Sequence, residues 1–73
     1  MNQASAETKE QLAQLKAIRK RLGWSEELCA HHLGVTYSTW NRWEHGESIP
    51  KSQAVREAIH RFIEKYGEHH ITQ

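Results

Sequence analysis

The sequence predicts an all-α fold, a small bundle of about four helices, and three observations predict it. Apolar residues recur at helical spacing in two long stretches, one through Leu12, Leu15, Ile18 and Leu22 and the other through Val55, Ala58, Ile59, Phe62, Ile63 and Tyr66. Oxygen-bearing residues stand where helices would start, at Ser25, Thr36 and Ser52. Glycines stand where they would stop, at Gly23, Gly34, Gly46 and Gly67.

Taken in order, residues 1–7 read as a flexible tail. Thr8 with Gln11 forms a capping-box pattern, with Ser5 as an alternative cap. The first helix then runs to Gly23. Lys16, Arg19, Lys20 and Arg21 crowd its last turns. They suit the negative end of the helix dipole, and they also suit a phosphate-facing patch. The second helix opens at Ser25, with Glu26 and Glu27 in its first turn, and offers a small apolar face of Cys29, Ala30 and Leu33. Gly34 sits at the left-handed stop position and Val35 is the apolar residue of the turn. The third helix runs from Thr36 to Gly46. Trp40 and Trp43 share one face, while Ser38, Asn41, Arg42 and His45 share another. Pro50 fixes the following turn, Ser52 caps a last helix, and residues 68–73 read as a second tail around a domain of 8–67. The predicted core is Leu12, Leu15, Ile18, Leu22, Trp24, Cys29, Ala30, Leu33, Val35, Trp40, Ile49, Val55, Ile59 and Phe62.

With 73 residues the chain has room for one small domain, and none for a separate ligand domain. Regulation is then expected through concentration, a partner or oligomer state. Formal net charge is +1, so any affinity for nucleic acid must come from how charge is distributed. The single cysteine rules out an internal disulfide and suits a reducing cytoplasm. No apolar run is long enough for a signal peptide or membrane span. His31-His32 and His69-His70 are adjacent pairs, and neighbours on a helix point about 100° apart, so neither pair is a two-ligand unit. No metal, cofactor or catalytic group is therefore expected: there is no Asp, no H-E-x-x-H, no paired carboxylates and no nucleophile elbow.

The stretch S-E-E-L-C-A-H-H-L-G-V-T-Y-S-T-W-N-R-W-E-H-G, followed by E-S-I-P, resembles the helix-turn-helix of the phage repressor and Cro family, also called the xenobiotic-response-element family. The correspondence is gapless to Pro50, with Ala30, Gly34, Trp43, Glu44, Gly46 and Pro50 in register. The resemblance implies a lambda-repressor-like fold and sequence-specific binding to double-stranded DNA, with the third helix in the major groove. It implies that Tyr37 and Ser38 read bases, joined on the same face by Asn41 and Arg42. Tyr37 could instead pack on a neighbour, Ser38 assist the cap, and Arg42 lie along a phosphate. Phosphate contacts are expected from Lys20, Arg21, Ser25, Thr36, His45, Lys51 and Ser52, some through backbone N–H groups at helix starts. Arg19, Trp40, Trp43 and Glu44 take structural roles, with Glu44 pairing Arg19 to tie the first helix to the third. The expected protein is a small cytoplasmic, nucleoid-associated regulator of prokaryotic or phage origin, most simply a repressor, bound as a homodimer to a palindromic operator. The alternatives are an antitoxin-like or adaptor module whose main partner is another protein, and a histidine-based metal binder. Trp24 stands where the family usually has leucine. Leu28 stands where it usually has a charge, and is expected to be exposed.

Glu26 stands where the family usually has a glutamine whose amide donates to a phosphate. A carboxylate there repels phosphate while stabilising the helix start by about 0.3–1 kcal/mol. Glu26→Gln is expected to bind DNA more tightly at every sequence, by an amount that shrinks as salt rises, and to melt slightly lower. Titrations of both proteins at two salt concentrations check this, and weaker binding by the variant would refute it.

Overall fold

The computed structural model of the protein describes residues 3–67 and contains four helices: α1 Gln3–Leu22, α2 Glu26–Leu33, α3 Tyr37–Glu44 and α4 Gln53–Tyr66. The fold is all-α. The predicted 68–73 tail, with His69 and His70, lies outside the described residues.

α1 starts earlier than the sequence reading has it. Residues 3–7 are helical rather than tail, and neither Ser5 nor Thr8 is a cap. The run Ala4, Ala6, Glu7, Lys9, Glu10 has high helix propensity and carries the helix back past Thr8. Thr8 is thereby a buried residue, one turn before Leu12 on the same stripe. The other caps fall where read. Ser25, Thr36 and Ser52 have extended backbones and accept from the N–H groups of Leu28, Thr39 and Val55. Gly34 closes α2 with φ +92°, a conformation that side chains disfavour. Its N–H, and that of Val35, bond to the Ala30 carbonyl, so the chain turns sharply into α3. α3 ends at Glu44 with His45 as its cap, one residue before the predicted Gly46.

Each helix contributes two residues to the core: Leu15 and Ile18, Cys29 and Ala30, Trp40 and Trp43, Ile59 and Phe62. α2 and α3 pack on each other, and α1 lies across α3 and α4. Leu12, Leu22, Trp24, Leu33, Val35 and Val55 are partly buried around this centre. Ile49 is half-buried at the edge, whereas its neighbour Pro50 is buried. Trp24 stacks on His32 at 4.5 Å and meets Tyr66 edge-on at 5.1 Å. An aromatic group thus fills the corner between the α1–α2 turn and the end of α4. Burial pushes the Cys29 thiol up to about 11, so the only cysteine is an inert packing residue.

A polar network fixes α3 against α1. Arg19 donates to both Glu44 oxygens, from Nε at 2.6 Å and Nη2 at 3.0 Å, and from Nη1 to the Trp24 carbonyl at 3.2 Å. The Trp40 indole N–H donates to Glu44 Oε2 at 2.6 Å. The side chains of Arg19 and Glu44 are only 18% and 7% exposed. Burial alone would raise the Glu44 carboxyl, but hydrogen bonds from Arg19 and Trp40 and the charge of Arg19 outweigh it and hold it below its ordinary value.

A carboxyl held below its unfolded pKa of about 4.3 contributes stability that is complete above that value and is lost as pH falls through the lower folded one. Glu44→Gln is expected to cost about 3 kcal/mol at pH 7 because it strands the Arg19 charge, and to flatten the loss of stability in acid. Urea melts of both proteins from pH 7 to pH 3 test this. Equal stability at pH 7 would show that the pair contributes nothing.

Candidate nucleic-acid interface

With Trp40 and Trp43 buried and Glu44 clamped, the opposite side of α3 faces outward. Tyr37, Ser38 and Arg42 are exposed, Tyr37 to 51%. Tyr37 therefore does not pack away into the core. Arg42 forms no ion pair among the described residues. The face thus presents a phenol, a hydroxyl and a guanidinium, all able to hydrogen-bond, on a helix that the tryptophans anchor from behind.

Asn41 differs from its neighbours. It is half-buried, and its amide donates to Glu26 Oε1 at 3.1 Å and to the Tyr37 hydroxyl at 3.4 Å. The start of α2 is therefore stitched to the middle of α3. Glu26 and Asn41 are fifteen positions apart, and no local pattern links them. His45 turns back on its own helix, its Nδ1 2.8 Å from the Asn41 carbonyl oxygen.

The residues read as phosphate contacts fall in different places. Thr36, Lys51 and Ser52 line one shallow depression, together with Thr39 and Ser48. The capped N-termini of α3 and α4 both border this depression. Thr36 Oγ1 accepts from the Thr39 N–H and lies 2.9 Å from Thr39 Oγ1. Arg56 donates to the Lys51 carbonyl at 2.9 Å, which fixes the loop from behind. Ser25 is exposed, and its hydroxyl oxygen accepts from the Leu28 N–H at 3.0 Å. Lys20 is exposed near the end of α1. Arg21 is turned elsewhere: its guanidinium donates to the Tyr66 carbonyl at the end of α4. It sits at the negative end of the α4 dipole and joins α1 to α4. Leu28 is exposed, as read.

Among the described residues no three His, Cys, Asp or Glu are grouped so as to hold a metal, and no helix is long and apolar enough to cross a membrane. Comparison with known families matches residues 12–68 to the family described as helix-turn-helix domain. No curated protein and no solved structure matches the chain.

Proposed function

The chain belongs to the helix-turn-helix domain family, and on that premise we propose that it binds double-stranded DNA sequence-specifically and acts as a small transcriptional regulator, a repressor by occlusion of its site. One observation carries this reading. α3 has a buried aromatic side and an exposed hydrogen-bonding side, and the clamp through Glu44 holds it rigid. A helix of that kind fits the major groove, where Arg pairs with guanine and hydroxyl groups accept or donate as the base requires. Tyr37, Ser38, Asn41 and Arg42 are the base-reading candidates. Lys20, Ser25, Thr36, Lys51 and Ser52 are the phosphate-binding ones, with the paired starts of α3 and α4 supplying backbone donors.

One short helix reads only a few base pairs, which is little information for a genome. Two protomers on half-sites about 34 Å apart would double it. Apart from Ala54, the exposed positions of α4 are polar: Gln53, Glu57, His60, Arg61, Glu64 and Lys65. The protein is therefore expected to be a monomer in free solution and to pair only on DNA, with α4 at or near the contact.

Selection from a randomised duplex library, followed by mobility shift on the winning site, tests the reading. Arg42→Ala is expected to weaken binding to that site by about 1–3 kcal/mol and to relax preference at one base pair. Lys20→Ala is expected to weaken binding to every sequence alike and to reduce the salt slope by about one. Unchanged site affinity for the Arg42 variant would remove α3 from the groove. Sedimentation should give one protomer without DNA and two on the selected duplex, and a single bound protomer would refute pairing.

A further inference from the structure

The hydrogen bonds around Asn41 restrict what it can say to a base. A side-chain amide has two N–H donors and one carbonyl acceptor. Turning the amide over would exchange the two ends, but here the chemistry of the partner fixes the direction. An ionised carboxylate only accepts, so the amino end of Asn41 must face Glu26. The Tyr37 hydroxyl takes the second donor, at a longer distance. Both donors are thus engaged within the protein, and among the described residues the carbonyl oxygen Oδ1 meets no donor. An unrestrained asparagine in the major groove recognises adenine through both ends, donating to N7 and accepting from the N6 amino group. Asn41 has only the accepting half of that pair to offer.

We infer that Glu26 is a positioning residue that sets base preference: from α2 it holds Asn41 on α3 as a lone acceptor, so that the helix selects an exocyclic amino group, cytosine N4 or adenine N6, and does not single out adenine. This rests on the DNA-binding reading above. Glu26 touches no base itself in this scheme. Tyr37, attached to the same amide, is the second half of the latch, and its exposure puts that latch beside the bases.

The experiment selects duplexes from a randomised library with the wild type, Glu26→Ala, Glu26→Gln and Asn41→Ala, after circular dichroism melts have shown each variant to be folded. In the wild type one position should accept cytosine and adenine about equally over guanine and thymine. Asn41→Ala should lose that preference. Glu26→Ala frees the amide donor that Glu26 holds, and adenine should rise over cytosine by about tenfold at the same position. Glu26→Gln retains an accepting oxygen and should keep the wild-type ratio, which a role confined to helix stability would not explain. An unchanged ratio in Glu26→Ala, or a preference that survives Asn41→Ala, overturns the inference while leaving DNA binding intact. A wild type that selects no site overturns the DNA-binding reading, and the inference falls with it.

Discussion

The Glu44 carboxylate is a charge in a nearly dry place, and the packing of the domain depends on its being satisfied. An isolated buried carboxylate would be too costly to keep ionised. Arg19 meets it with two parallel hydrogen bonds, the geometry in which guanidinium and carboxylate fit best, and the Trp40 indole supplies a third. The same arginine reaches the Trp24 carbonyl in the turn before α2. Four points of the chain, in α1, in the first turn and twice in α3, are therefore fixed by one group of side chains. Hydrophobic packing alone would leave α3, only eight residues long, free to slide along its axis or roll about it. Directional bonds at its C-terminal end remove that freedom.

A rigid helix is what a reading surface requires. Base edges discriminate over fractions of an ångström, so a recognition helix that rolls loses specificity before it loses affinity. The two ends of α3 are held differently. The C-terminal end is anchored inward through Trp40, Trp43 and Glu44. The middle is held sideways through Asn41 to Glu26, and the N-terminal end by the Thr36 cap. What remains outward is Tyr37, Ser38 and Arg42. Net charge near neutrality is compatible with the proposed DNA binding, in which affinity would come from a few placed contacts and from backbone N–H groups at helix starts.

A domain this small has little core to spare, and the structure shows where the apolar residues go. Of the fully buried side chains the four largest are Trp40, Leu15, Ile59 and Cys29, one from each helix. α2 brings the small Cys29 and Ala30 to the core, and α3, which packs on it, brings the bulky Trp40 and Trp43. The Trp24, His32, Tyr66 and Phe62 rings extend this packing to the far end of α4, where Arg21 bonds to the Tyr66 carbonyl. Two arginines two residues apart on α1 thus staple it to different helices, Arg19 to α3 and Arg21 to α4.

Most of the architecture was legible in the sequence because its signals are local. Caps, left-handed glycines and apolar stripes act over a single turn, so Ser25, Gly34, Thr36 and Ser52 announce their helices wherever the chain folds. The family resemblance carried the Arg19–Glu44 pair, which spacing alone does not reveal. The start of α1 was misread because a cap signal at Thr8 competes with the helix propensity of the residues before it, and propensity prevails once Thr8 has a core to enter. The partners of Arg21, Glu26 and Asn41 were not legible, for a different reason. Each is a polar residue at a position that a helix wheel leaves outside, and only the approach of α4 to α1 and of α2 to α3 gives it a partner. The order and faces of the helices follow from periodicity within the chain. Which polar groups remain free to meet a ligand is decided by contacts between helices, because hydrogen bonds depend on distances that sequence separation does not encode.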